Sequence, residues 1–223
     1  MEITPSILVS DISTFWQQIG RLLPYLQHFQ VDICDGIFVL NKTITIDDIF
    51  STIKHYNDNV SNLIFDFHLM VKNYKQHIEE LNQLQKTIKI DTVLLHYSVN
   101  PDFNVLSVPF PFSFGLVLDP DDRVETIKQK YDLQKLPAIQ IMSVYPGQQG
   151  QAFLPETLQK IEQLRKAGYR NKIYLDGGIN EQTLPIIFAQ QYKPDVIGPG
   201  SFFSKAEDIK EKIDLLNKYL RQK

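Results

Sequence analysis

The chain has 223 residues, 43% hydrophobic and 22% charged, with a formal net charge of −3 and a single cysteine. That is enough ordinary globular chain to bury one large core, so a single domain over 1–223 is expected. The absence of a basic stripe argues against nucleic acid, and the lone Cys34 excludes an intramolecular disulfide and suits a reducing cytoplasm.

Met1-Glu2-Ile3-Thr4-Pro5 has no basic patch followed by an apolar stretch, so no secretory signal is expected. Ile3–Leu8 reads as a first strand. Ser10 or Asp11 can then start a helix over Ile12–Leu26, with Phe15, Ile19, Leu22, Leu23 and Leu26 on one face. Strand Phe29–Ile33 runs into Cys34-Asp35-Gly36, followed by a weakly periodic helix over Ile46–His55. Strand Leu63–Leu69, helix Tyr74–Gln85 and strand Thr92–His96 come next. The apolar stretch Ser107–Leu118 is broken by Pro109 and Pro111 and is too short to span a bilayer; its second half, Phe112–Leu118, reads as a strand. Helix Val124–Lys130 and strand Ile139–Val144 precede a helix over Glu156–Ala167, opened by Pro155 and stopped by Gly168. Strand Ile173–Asp176, helix Glu181–Gln190 started at Asn180, strand Asp195–Ile197 and helix Ala206–Leu220 complete the chain.

Eight strands alternating with amphipathic segments imply an α/β fold, a (β/α)₈ TIM barrel. A doubly wound open sheet would carry a glycine-rich turn after its first strand, where this chain has Val9-Ser10-Asp11. The glycines gather instead after the last three strands, at Gly147, Gly150, Gly177, Gly178, Gly198 and Gly200. Barrel enzymes commonly hold a phosphate at that part of the rim, and bare glycines let backbone N–H groups approach an anion. The loops around Gly147 and Gly150, Gly177-Gly178 and Gly200-Ser201 are therefore expected to cradle one.

In a barrel the C-terminal ends of all strands face one mouth. Those ends carry Ser6, Asp32, Asp35, His68, His96, Asp176 and Ser201. A carboxylate at the end of a buried strand costs several kcal/mol in desolvation unless paired or bound. Taken singly, each aspartate reads equally well as a turn former. Together, Asp32 and Asp176 suggest an acid/base pair in one site. His68 can join them around a divalent metal with mixed nitrogen and oxygen ligands. Asp66 lies nearer its strand start and reads as structural. Cys34 sits among acidic neighbours, which raise a thiol pKa, so an inert buried thiol is expected. No lysine stands at a strand end, which argues against a Schiff-base mechanism.

From Thr4 to about Ser204 these residues resemble the ribulose-phosphate 3-epimerase family. The resemblance is carried by Thr4-Pro5-Ser6-Ile7-Leu8, Val31-Asp32-Ile33-Cys34-Asp35-Gly36, His68-Leu69-Met70, Met142-Ser143-Val144-Tyr145-Pro146-Gly147, Asp176-Gly177-Gly178-Ile179 and Gly200-Ser201. It implies proton transfer at C3 of a ketopentose phosphate through a 2,3-enediolate, with Asp32 and Asp176 as acid and base. It also implies a divalent metal (zinc, iron, manganese or cobalt) on Asp32, His68, Asp176 and the position of Gln30, where the family has a histidine. Ser6, Met70 and Met142 are implied to line the substrate, and a cytoplasmic homo-oligomer with a small sugar phosphate as its partner is expected. Cys34 stands at a family methionine, Phe38 or its neighbour at a family histidine, and Gln148-Gln149 at a Phe-Gly pair. These departures imply a divergent member. Ribulose 5-phosphate and xylulose 5-phosphate are the default pair, with an allulose 6-phosphate 3-epimerase or a catalytically impaired sugar-phosphate-binding barrel as the alternatives.

Overall fold

The computed structural model describes residues 1–56, 62–106 and 110–221. The first part of Ser107–Leu118 therefore falls outside the described residues at 107–109. The strands are β1 (Glu2–Ile3), β2 (Ser6–Ile7), β3 (His28–Cys34), β4 (Ile64–Met70), β5 (Lys89–His96), β6 (Ser113–Leu118), β7 (Ala138–Met142), β8 (Lys172–Asp176) and β9 (Val196–Gly198). All pair in parallel, in the order β1-β9-β8-β7-β6-β5-β4-β3-β2.

The expected first strand is thus split. Its first half pairs with the last strand (Glu2 opposite Val196) and its second half with β3 (Ser6 opposite Gln30). Thr4 N–H donates to Ile197 O, Gln30 N–H donates to Pro5 O, and Pro5, which has no N–H, sits where the pairing changes sides. Because residues 2–7 are continuous, the two ends of the sheet are joined and the barrel closes.

Helices α1 (Ile12–Leu22), α2 (Ile46–Thr52), α3 (Tyr74–Leu84), α4 (Phe103–Leu106), α5 (Val124–Lys130), α6 (Gln159–Lys166), α7 (Leu184–Phe188), α8 (Ser201–Ser204) and α9 (Ile209–Leu220) connect the strands. The long helices α1, α3 and α9 each pack an apolar stripe on the barrel. In α1 the stripe is Phe15, Trp16, Ile19 and Leu22, worth roughly 1.5–3 kcal/mol per fully buried side chain. Asp11 caps α1 by accepting from Thr14 N–H at 2.8 Å.

Several expected helices are shorter than their apolar pattern. The first stops at Leu22 because Pro24 cannot donate to the preceding turn. The expected Glu181–Gln190 helix is only Leu184–Phe188: Asn180 Oδ1 accepts from Gln182 and Thr183 N–H, which holds that stretch in a turn, and Pro185 opens the helix. The second half of Ile46–His55 and the start of Glu156–Ala167 tighten into 3₁₀ turns over Ile53–Tyr56 and Pro155–Leu158. The last helix starts at Ile209, capped by Asp208, and not at Ala206.

The barrel interior is unusually polar. Thr4, Gln30, Asp66, His68, Thr92, His96, Gln140 and Asp176 are all buried. Two small apolar clusters interleave with them, Ala138–Tyr174–Val196 and Leu94–Val117–Met142–Val144. Asp66 belongs to the structural set. It accepts from Thr92 N–H at 3.0 Å where the β4–β5 register shifts, and it lies 3.0 Å from His28 Nε2.

Candidate active site

Strand parity and register build the site. Asp32 in β3 lies opposite His68 in β4, Cys34 opposite Met70, Met142 in β7 opposite Asp176 in β8, and Asp176 opposite Gly198 in β9. Neighbouring interior positions therefore bring both aspartates and His68 together at the C-terminal mouth. Asp32 Oδ1 is 3.2 Å from His68 Nδ1, and Asp176 Oδ2 is 3.7 Å from the same nitrogen.

Gln30 lies immediately beneath. Its amide Nε2 donates to Asp32 Oδ1 at 3.1 Å and to Asp176 Oδ2 at 2.8 Å, so one NH₂ group straddles the two carboxylates. Gln140 Nε2 donates to Asp176 Oδ2 from the other side at 3.2 Å. Burial, and next the charge of Asp32, push the Asp176 pKa well above the ordinary carboxylate range. The neighbouring Asp32 carboxylate outweighs burial at His68, whose pKa is raised.

Above these groups opens a narrow cavity at the barrel mouth. Ser6, Asp32, His68, Met70, Met142 and Asp176 line its floor and walls. Gly147, Gly150, Gly177, Gly178, Gly200 and Ser201 form its glycine-rich side. Gln30 does not reach the cavity surface; it acts from below, through the carboxylates. Asp35, from the strand-end set, serves a turn: its carboxylate accepts from the N–H groups of Ile37, Phe38 and Lys72.

The turn after β8 is held tightly. The Ser143 hydroxyl lies 2.9 Å from Asp176 O and 2.6 Å from Gly177 O, sharing its one proton between them. Gly177 has φ +106°, and a Cβ there would lie 2.5 Å from Val144 Cγ2. Only glycine allows the chain to turn away from Asp176 at this point.

Gln140 and Asp119 escaped the reading of the sequence, and Gln149 and Phe38 were met there only as departures from the family. Gln140 and Gln149 are neutral amides and carry no charge signal. Gln149 Nε2 donates to Ser6 O at 3.3 Å while Ser204 Oγ donates to Gln149 Oε1 at 3.3 Å, so this side chain ties the β7 loop to the first and last loops. Phe38, noted only as a departure, places its ring 4.7 Å from that of His96. Asp119 follows β6 directly and lies against His96; extending the strand-end rule one residue past Leu118 finds it.

Burial, then the charges of Asp32 and Asp35, raise the Cys34 thiol to about 12. Native protein is accordingly expected to resist alkylation by iodoacetamide at pH 8 and to react fully once unfolded, as mass spectrometry reads; rapid labelling of the folded chain would contradict this.

Asp32, His68 and Asp176 each offer a ligand atom, and these atoms lie within 4.8 Å of one another. Two carboxylates and an imidazole suit a divalent cation of the zinc, manganese or iron type. Gln30 turns its nitrogen toward the carboxylates, and only a rotated amide presents Oε1 to a cation. Three ligands therefore fit as they stand and the fourth fits after a side-chain flip.

A model of the ribulose-phosphate 3 epimerase family matches residues 2–202. The chain belongs to that family. Its members are named as isomerases acting on a carbohydrate phosphate. A ribulose-phosphate 3-epimerase from Schizosaccharomyces pombe is 30% identical over 187 residues, 82% of this chain and 78% of the relative. One from Methanocaldococcus jannaschii is 29% identical over 226 residues, 94% of this chain and 87% of the relative. Among solved structures, 3-hexulose-6-phosphate synthase from Salmonella typhimurium superposes with a TM-score of 0.68 at 13% identity, covering 100% of this chain and 99% of that one, a likeness of fold alone. Among the described residues no helix is long and apolar enough to cross a membrane.

Proposed function

We propose that the protein is a ketose-phosphate 3-epimerase that interconverts ribulose 5-phosphate and xylulose 5-phosphate, a reaction suited to the reducing cytoplasm in which a lone buried thiol stays inert. One observation carries the reading: two buried carboxylates from different strands share the amide of Gln30 under a single cavity. Removing a proton beside a carbonyl and returning it to the opposite face needs one group ionised and one protonated. Before any cation binds, burial and the charge of Asp32 favour the protonated form of Asp176, so the pair tends to hold one proton between two carboxyl groups. Asp32 then takes the C3 proton while Asp176 delivers one from the other face, and the reverse reaction exchanges the roles.

Gln30 and Gln140 fix the Asp176 carboxyl so that its rotamer is set before substrate arrives. Met70 and Met142 supply soft apolar walls beside the reacting carbons and exclude water. The glycine-rich side, Gly147, Gly150, Gly177, Gly178, Gly200 and Ser201, supports a phosphate cradle that anchors the far end of the sugar. Asp32, His68 and Asp176 would hold a divalent metal, which supplies Lewis-acid stabilisation of the enediolate oxygens. The metal ligands and the acid/base pair are then the same side chains.

The test is an NMR assay of ribulose 5-phosphate in deuterated water, with and without added zinc or manganese. Loss of the C3 proton signal with formation of xylulose 5-phosphate is expected; a C3 proton that persists under both conditions sinks the reading. A hexulose phosphate such as allulose 6-phosphate, run in parallel, addresses substrate length. Gln30, in place of a family histidine, favours a second reading: a sugar-phosphate-binding barrel with impaired catalysis, which would bind substrate without exchanging the proton.

Gln30 also yields a prediction of its own. Gln30→His is expected to tighten metal binding by at least about tenfold, because imidazole is the better partner for a borderline cation. Equal affinities of both forms in a calorimetric titration would place position 30 outside the metal's reach.

A further inference from the structure

We propose that Asp119 is a positioning residue: through His96 it keeps the shared proton on the far nitrogen of His68, and so keeps the nitrogen that faces the two aspartates available to a cation. This rests on the reading of Asp32, His68 and Asp176 as the cation-holding group.

One buried chain of proton donors and acceptors leads from Asp119 to the site. The Asp119 carboxylate lies 3.1 Å (Oδ1) and 3.2 Å (Oδ2) from His96 Nδ1. A carboxylate only accepts, so His96 Nδ1 carries a proton, and in a neutral ring Nε2 is then bare. His96 Nε2 is 2.8 Å from His68 Nε2, a distance that requires a single shared proton. With His96 Nε2 bare, that proton belongs to His68 Nε2. By the same rule His68 Nδ1, which faces Asp32 Oδ1 and Asp176 Oδ2, carries a proton of its own until a cation takes its place. A cation that displaces this one proton meets a neutral ring whose other nitrogen already donates to His96, which is the condition of a ligand atom.

Remove the Asp119 carboxylate and the chain can run the other way. His96 Nε2–H then donates to His68 Nε2, and His68 Nδ1–H donates to Asp32. A cation that then displaces the Nδ1 proton must also drive the proton between the two rings back onto His68 Nε2 before the ring is a neutral ligand. Asp119 withholds that alternative. The ring of Phe38 covers His96, and both histidines are fully buried, so water is a poor substitute for the carboxylate. The loop does not depend on that carboxylate for its shape. Lys160 Nζ donates to Asp119 O and Pro120 O at 2.6 Å each, and Asp119 N–H donates to Asp122 Oδ2 at 2.8 Å.

The test uses the full chain freed of metal. Side-chain ¹⁵N NMR identifies the protonated nitrogen of each histidine, and calorimetry with zinc chloride gives the metal dissociation constant. Wild type is expected to show His96 protonated on Nδ1. D119A is expected to move that proton to Nε2 and to weaken zinc binding by about 10–100-fold, the usual scale for an orienting partner of a metal histidine. D119N, whose amide oxygen can still accept from Nδ1–H, is expected to keep the tautomer and most of the affinity. Wild-type His96 protonated on Nε2 would overturn the proposal with no variant at all. So would D119A with unchanged tautomer and affinity, whatever it does to thermal stability, and so would D119N losing as much affinity as D119A with the tautomer intact. None of these measurements involves a sugar, so failure of the epimerase assay and failure of this proposal are separate results.

Discussion

Asp176→Asn is expected to abolish exchange of the substrate's C3 proton with solvent while leaving the sugar phosphate bound. The substitution is nearly isosteric, and asparagine Oδ1 can still accept from Gln30 or Gln140. What is lost is the proton-carrying group, and it is lost in both directions of the reaction. General acid–base catalysis contributes about 10²–10⁴-fold per group. Since one face of C3 would have no partner, kcat is expected to fall by at least the upper part of that range, roughly 10³-fold or more. Deuterium incorporation at C3, followed by NMR, reads the loss, and a substrate titration reads the retained affinity. The same variant is expected to melt no lower than wild type, because a neutral amide removes a buried carboxyl that burial and Asp32 both strain toward protonation. Full exchange in the variant would remove Asp176 from the mechanism, and a collapse in melting temperature would make its role structural.

The second large effect is one of backbone geometry. Gly177→Ala forces a side chain onto φ +106° and sets a Cβ 2.5 Å from Val144 Cγ2 and 3.1 Å from Val144 N. A residue in such a region costs on the order of 1–3 kcal/mol, and overpacking a filled site costs about as much again. At roughly 2–4 °C per kcal/mol for a chain of this size, the melting temperature is expected to drop by about 5–15 °C. Gly20→Ala is the matching control. Gly20 lies in α1 with nothing within 4 Å of an added Cβ, and alanine there is expected to stabilise by about 0.5–1 kcal/mol. Equal melting temperatures for the two variants would mean that the turn after β8 is not held as tightly as its contacts indicate.

The barrel was legible because its strands are short β-branched runs and its helices carry an apolar stripe, and both signals are local. Helix ends were less so. Asn180, Thr183 and Pro185 compete with the helical pattern through turn bonds and a missing N–H, and they cost the expected helix about a turn at its start. Asp32, His68 and Asp176 could be grouped from sequence because charge at the end of a buried strand is conspicuous. The contact of His68 with His96 could not, since it depends on side-chain geometry across β4 and β5 rather than on spacing along the chain. Gln30 could be noticed as a departure, but its grip on both carboxylates is visible only once Ser6–Gln30 and Asp32–His68 are in register. Gln149 stood out as a lost glycine, and the structure shows what the added side chain does: it bridges three loops.

The divided first strand has a consequence for how the molecule is made. Residues 2–3 pair with residues 196–197, so the ribosome must deliver the chain through that strand before the ring can shut. Until then a nascent parallel sheet carries two unpaired edges, the arrangement most prone to wrong pairing with other chains. Closure is also the contact of greatest sequence separation in the sheet, which puts it among the slow steps. Production of this protein is therefore most exposed until residues 196–197 are made, and a change at Glu2 or Ile3 bears directly on that final latch.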